Sequence, residues 1–594
     1  MLLGNAVVLA AIAAAQPACA QDVIPPKVYS TTPGGVNVAD GSFVYSETDL
    51  AIGPLKLERS HVTGLRKPNR PFFGFNMTHN FDIYVAHNNV QPSPPPANQA
   101  THRPIAHLGG SASGTYTQLD ATPSSISAFN IDAERSGNLT WAGGSTFATG
   151  HYVYTDSSGT IYTFSSSVPA ANVVTLGGSQ RIAEIAFPEG RTQTFSYNAS
   201  NQLKLVSDSS GYAIVFDYNA AGDVSAACGF DTAQTYVTAT STCTGAALKA
   251  TYGYASGYLN SVVDTSGQTT TYDNVQAGIT CVKPPGYATC KMAMSYNGSV
   301  IFKQTMADGA EWNIASGSPD VINDPGSSAS DGDGSGTVTD PAGKVTNFRF
   351  TKSSPYSITD PNGQVTNYRF TGAVYFEPFI DDYHDGTLLV EATLPEGNKY
   401  LAEYNGPFHA ITKRTMVAKP GSGIADQVET LGYGSCFSPG SFQNCAKPIW
   451  TKDAKGNQTD FTYASWGGLL TEMQPAPTAG AARPLKLNTY VQKYPYIKNS
   501  GGSLVAGPNQ IWVPDTETLC QTVAGSSTPT CDSGAPITVT TYEYGANGTA
   551  DNLLVRGKLV TSGGVSLRTC FGYDAQSNKI WETSPRGTAS AVCS

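Results

Sequence analysis

Thr339-Asp340-Pro341-Ala342-Gly343-Lys344-Val345-Thr346-Asn347-Phe348-Arg349-Phe350-Thr351 returns twenty positions later as Thr359-Asp360-Pro361-Asn362-Gly363-Gln364-Val365-Thr366-Asn367-Tyr368-Arg369-Phe370-Thr371. Each copy is an Asp-Pro-x-Gly turn followed by an alternating strand, because Gly supplies a turn conformation that other residues resist and side chains along a strand alternate between its faces. The alternation predicts one face carrying Val, Asn and Arg and the other carrying Thr, Phe or Tyr, and Phe. A unit of this size cannot bury a core alone, so its aromatic face must lie against the units before and after it.

Looser relatives of the unit recur through the chain. They include Gly190-Arg191-Thr192-Gln193-Thr194-Phe195-Ser196-Tyr197-Asn198, Thr251-Tyr252-Gly253-Tyr254, Lys455-Gly456-Asn457-Gln458-Thr459-Asp460-Phe461-Thr462-Tyr463, Tyr542-Glu543-Tyr544 and Phe571-Gly572-Tyr573-Asp574. Earlier, Tyr152 to Thr155 and Thr160 to Phe164 read as the two arms of a hairpin, and Gln91-Pro92-Ser93-Pro94-Pro95-Pro96 reads as an extended loop. With 594 residues, only 13% charged, and 61 glycines, the chain is expected to be all-β, many short strands joined by tight turns. Three regions are expected: a leader over 1–20, a β-rich opening domain over 21–180, and a repeat sheet over 181–594.

The apolar run Ala6 to Ala15, followed by Ala18-Cys19-Ala20, has the length and small-residue cleavage site of a secretory signal peptide, although no Lys or Arg precedes it. Lipidation at Cys19 is the alternative, with Gln16 standing where a lipobox carries Leu. Export to the periplasm or cell exterior is therefore expected, with no membrane-spanning segment.

Loss of the leader removes Cys19 and leaves cysteines at 228, 243, 281, 290, 436, 445, 520, 531, 570 and 593. Neighbour pairing would join Cys228 to Cys243, Cys281 to Cys290, Cys436 to Cys445, Cys520 to Cys531 and Cys570 to Cys593, each stapling one hairpin or loop in an oxidising compartment. Free thiols in a reducing compartment are the alternative. The absence of any Cys-x-x-Cys weighs against zinc.

The net charge of −10 and the lack of any Lys/Arg run exclude a phosphate-neutralising face, so nucleic acid is not an expected partner. No H-E-x-x-H, phosphate loop or dinucleotide fingerprint occurs, and no cofactor is expected. Asp331-Gly332-Asp333-Gly334-Ser335-Gly336 spaces oxygen ligands as calcium loops do, making Asp331, Asp333 and Ser335 a candidate set, but the twelfth position is Ala342 rather than Glu; a flexible connector is the competing reading. Asp381-Asp382-Tyr383-His384-Asp385 reads as a solvated loop, and a side chain at His79, beside Asn80, is expected to fix a turn.

The pattern G-x-x-x-Y-x-Y-D-x-x-G-R/K-L is that of YD repeats, and Gly572-Tyr573-Asp574-Ala575-Gln576-Ser577-Asn578-Lys579-Ile580 resembles one, with Asn578 in place of the usual Gly. Val36 to Phe43, Thr48-Asp49-Leu50, Leu55 to Ser60 and Phe73 to Phe81 are similar to the segment that opens Rhs-type proteins. The resemblance implies a spiral sheet of short antiparallel strands forming a hollow shell around a toxin or effector segment. It departs at the end: the family's closing D-P-x-G-rich segment and variable tail do not appear before Ser594, which implies a partial shell, a truncated gene, or one part of a split system completed by a second chain.

A non-enzymatic shell or scaffold is the leading expectation, possessing no catalytic residues. A surface adhesin binding carbohydrate or protein through repeat aromatics is the alternative, and a secreted hydrolase ranks last because no nucleophile and base can be paired.

Overall fold

In the computed structural model the described residues are 23, 31–39, 41–63, 72–90, 101–108, 116–120, 130–131, 138–143, 150–169, 180–316, 333–351, 354–371, 388–405, 410–434, 442–574, 576–585 and 593. Residues 1–20, read above as a leader, the Gln91–Pro96 stretch, Asp381–Asp385, Asp331 and Cys436 lie outside them.

The architecture is all-β, and the single helical element among the described residues is a 3-10 turn at Phe442–Asn444. From Gln180–Ala186 onward, nearly every strand pairs antiparallel with its successor as far as Lys579–Glu582. The exception is Pro484–Lys493, which pairs with Ile511–Gln521 around a small hairpin of Tyr496–Lys498 and Leu504–Ala506. The expected hairpin around residue 157 is formed by Gly150–Thr155 and Ile161–Pro169.

The twenty-residue repeat behaves as its alternation requires. Val345, Asn347 and Arg349 face solvent while Phe348 and Phe350 are buried with their rings stacked 5.9 Å apart. Its turn is built by Asp340, whose Oδ1 accepts the N–H groups of Ala342 and Lys344 at 2.9 and 2.8 Å. Gly343 takes φ +78° there and donates its N–H to the Asp340 carbonyl at 2.9 Å. Asp360, Asp453 and Asp574 repeat this arrangement. In the last of these turns the left-handed residue is Ser577, with φ +66° and its N–H on Asp574 O. The glycine position of that repeat is therefore Ser577, three residues after Asp574, and not Asn578.

The repeat tyrosines have a shared task. Tyr197, Tyr218, Tyr404 and Tyr463 each follow a β-bulge, and each donates its hydroxyl to the carbonyl fifteen residues earlier: Ile182 at 2.8 Å, Leu203 at 2.6 Å, Leu389 at 2.9 Å and Pro448 at 3.0 Å. A bulge re-aims the side chain that follows it, here across the preceding strand. In these four units one tyrosine thus ties its strand to the one before.

A second, smaller sheet of β1 (Val44–Ile52), β2 (Leu55–Val62) and β3 (Met77–His79) packs on the large one. Phe73 meets Tyr252 edge-on at 4.8 Å, Phe81 meets Phe195 at 6.2 Å, and Gly41 O accepts from Ile301 N at 3.0 Å. One apolar core results, filled from both sides of residue 180, from Val36 to Ile314. Under this cover Tyr212–Tyr218 is mostly buried, whereas Gln427–Tyr433 and Thr538–Tyr544 are half-buried throughout.

Candidate functional site: a buried charge cluster beneath the small sheet

The strongest concentration of polar chemistry among the described residues lies where β1 and β2 face the large sheet. Arg59 on β2 is opposite Glu47 on β1, and a bulge between Thr48 and Leu50 lets Asp49 approach the same guanidinium. Arg59 Nε donates to Asp49 Oδ2 at 2.9 Å and Nη2 to Asp49 Oδ1 and Glu47 Oε2, both at 3.0 Å. Its side chain is wholly buried, and that of Asp49 is 2% exposed.

Two repeat tyrosines close the cluster from the large sheet. Tyr252 donates to Asp49 Oδ2 at 3.0 Å; Tyr272 accepts from Arg59 Nη2 at 3.0 Å and donates to Glu47 Oε2 at 2.5 Å. Tyr45 donates to the other oxygen of Glu47. Burial opposes the charge on Arg59, but Asp49, Tyr272 and Glu47 together outweigh it and hold the guanidinium well above its ordinary range. Burial raises the Asp49 carboxyl while Arg59 pulls it back down. Arg59 Nη1 has no hydrogen-bond partner among the described residues.

Two histidines flank the cluster. His61 Nε2 accepts the Ile279 N–H at 3.3 Å, and burial pushes its pKa down to about 3, so the ring is neutral. His79 is a core ring, edge-on to Phe72 at 5.2 Å and Phe73 at 5.5 Å. The turn-fixing role expected of a side chain there belongs to Asn80, which bonds Glu58 N and Lys56 O at 2.8 and 2.9 Å.

Chemically the cluster is a fastening. Both carboxylates are occupied by Arg59 and tyrosine hydroxyls, and the guanidinium is sealed from solvent, so the groups hold two sheets in one register. Asp49 and Arg59 both stood in the opening motif, yet their pairing was not read from it. The available signal was that Arg59 falls on the same alternate face of β2 as Leu55 and Leu57, while Lys56 and Glu58 fall on the other.

Of the calcium candidates, Asp333 and Ser335 stand on the strand Asp333–Thr339, which pairs along its whole length with Val345–Thr351. The described residues contain no cluster of three or more metal-ligating side chains. Disulfides join Cys228 to Cys243, Cys281 to Cys290, Cys520 to Cys531 and Cys570 to Cys593; Cys445 is also disulfide-bonded. Tyr368 packs against the cluster of Val23, Ala392, Tyr400 and Ala402. Among the described residues no helix is long and apolar enough to cross a membrane.

No protein-family model and no curated protein matches the chain. Among solved structures, a Photorhabdus luminescens Tc holotoxin pore aligns with TM-score 0.31 and 10% identity over 90% of this chain and 28% of that one. A TcdB2-TccC3 complex without its hypervariable C-terminal region aligns with TM-score 0.29 and 10% identity over 92% of this chain and 36% of that one. The N-terminal domain of the effector protein SpvB from Salmonella typhimurium strain LT2 aligns with TM-score 0.21 and 11% identity over 42% of this chain and 93% of that one. The chain spans about a third or less of the first two. At these scores the likenesses assign it no ligand, partner or activity.

Proposed function

We propose that the chain is an exported, non-enzymatic shell or scaffold of the Rhs/YD-repeat type, whose long sheet walls off another polypeptide. The observation that carries this reading is the sheet itself, in which successive strands pair in chain order and the small front sheet is locked on by a buried charge cluster. Such an assembly holds a surface in shape. The disulfides support export, since they persist in oxidising compartments.

The last strand, Lys579–Glu582, pairs on one side only among the described residues, and its Ile580 and Trp581 are 61% and 47% exposed. An unpaired strand edge accepts a further strand, whichever polypeptide supplies it. The adhesin alternative has less footing, because Tyr463 commits its hydroxyl to Pro448 O and Tyr368 packs inward.

The test is co-expression, in a bacterial periplasm, with the polypeptides encoded beside this chain, followed by limited proteolysis. A companion that resists protease only when this chain is present supports the proposal. If every companion stays equally cleavable and the chain binds immobilised glycans, the adhesin reading replaces it.

A further inference from the structure

Stretches far apart in sequence meet along one seam of the large sheet, and a side hairpin makes much of the contact. Between the long partners Pro484–Lys493 and Ile511–Gln521 the chain leaves the ladder, forms the hairpin of Tyr496–Lys498 and Leu504–Ala506, and returns. Its outgoing arm reaches the turn after Val224–Asp231: Lys498 N–H donates to Thr232 O at 2.8 Å and Lys498 Nζ to Gln234 O at 2.5 Å. The returning chain reaches the turn after Gln180–Ala186: Asn509 Nδ2 donates to Thr192 Oγ1 at 3.2 Å and Trp512 N–H to Glu189 O at 2.8 Å. A Cβ on Gly190 would lie 2.5 Å from Gln510 O, so only a glycine lets that turn press so close. Beside the hairpin, Tyr212 Oη donates to Ser577 Oγ at 2.9 Å.

These joints bury little apolar surface. Ser500 to Ser503, Val505 and Ala506 are exposed, and Lys498, Asn509 and Trp512 are half-buried, as are Glu189, Thr192 and Thr232 opposite them. The apolar clusters lie to either side, Leu205, Val215 and Cys228 in one and Met473, Leu485 and Cys520 in the other. Each side is laced independently of the seam. Ile511–Gln521 matches Pro484–Lys493 along its length, and Val224–Asp231 lies between two strands with the Cys228–Cys243 disulfide at its back. A two-stranded hairpin is marginal by itself in water, and backbone bonds with few apolar contacts around them open at a fraction of the global free energy. The large sheet is therefore strong along its ladders and weak across this seam.

We propose that the seam is a clasp that parts as a unit: Glu189 to Thr192, Tyr212 and Thr232 to Gln234 separate together from Lys498, Asn509 to Trp512 and Ser577, while the ladders on both sides stay paired. The hairpin is its catch, because it carries two of the bonds and little else holds it down. The use of such a parting rests on the shell reading above: it gives an enclosed polypeptide a way through the wall that requires no strand to unpair.

Native-state amide exchange in the full chain reads the clasp directly. The amides of Lys498 and Trp512 should exchange through one shared opening, with similar protection, about 100-fold or more below that of Ile214 and Val215 in the ladder. Low urea should leave their exchange unchanged while accelerating that of the ladder amides, since parting the seam exposes little surface. Lys498→Ala keeps both amides and removes the bond to Gln234 O, so exchange should rise about 5- to 10-fold at Trp512 as well as at position 498, with Ile214 unmoved. Tyr212→Phe, which removes the bond to Ser577, should act alike and carries the test if the first variant does not fold. Ladder-like protection of both amides, or a Lys498→Ala effect confined to position 498, overturns the proposal. In periplasmic co-expression, Lys498→Ala should also make a companion that the wild-type chain shields easier to cleave. A companion still fully shielded after both amides have loosened refutes passage through this seam. A wild-type chain that shields no companion defeats the shell reading instead, and the exchange data then decide the clasp alone.

Discussion

At the scale of single residues, Arg59 is the position where the structure has most to lose. Removing one partner of a buried ion pair leaves the others charged and unsolvated, so Arg59→Ala, which strands Asp49 and Glu47, should cost about 3 to 5 kcal/mol. Urea unfolding monitored by tryptophan fluorescence would measure it, and a loss below about 1 kcal/mol would show that the cluster is not a fastening. His61 gives a pH signature. Its folded pKa is about 3 and its unfolded pKa about 6.5, so the unfolded chain binds the extra proton between these values. The stability held above pH 6.5 is therefore lost progressively as pH falls toward 3, by up to a few kcal/mol, and His61→Gln should flatten that stretch of the stability curve.

At the scale of the element, the repeat is a hairpin with two built-in devices, an Asx-glycine turn and a bulge-directed tyrosine. Gly363 has open space where a side chain would go but takes φ +82°, so Gly363→Ala should cost about 1 to 2 kcal/mol through backbone strain alone, and Gly363→Asn distinctly less. Tyr218→Phe deletes the hydroxyl bond to Leu203 O without altering shape and should cost about 1 kcal/mol. Thermal unfolding of these variants would test both devices; an Ala variant as stable as wild type would mean that the turn relaxes to another conformation. The reading of the repeat survives at this scale in detail, down to which of Val345 to Phe350 face inward. The placement of the glycine at Asn578 in the last turn did not, because the turn closes three residues after Asp574, at Ser577.

At the scale of the whole molecule, what distinguishes the early strands from the late ones is cover. Tyr212–Tyr218 is buried because the small front sheet lies over it, and strands such as Gln427–Tyr433, built on the same pattern, remain half-buried. Deleting residues 31–81 should therefore expose the apolar face around Ile214, Phe216 and Tyr252. A large rise in binding of a hydrophobic dye is the expected outcome; unchanged dye binding by a folded, monomeric truncation would show that the front sheet is not the lid of that core.

What the sequence determined by itself was local. Turn residues, alternation and the twenty-residue spacing each act within a few residues of backbone, so the all-β class, the hairpins and the neighbour pairing of Cys228, Cys281, Cys520 and Cys570 were legible without coordinates. The tertiary structure alone decided which distant residues meet. Arg59 reaches Tyr272 across 213 positions and Tyr212 reaches Ser577 across 365, because a sheet that grows by one short strand at a time brings its far turns together only after many strands have paired. The charge cluster arises from such an encounter, and no local pattern encodes a contact between strands that far apart.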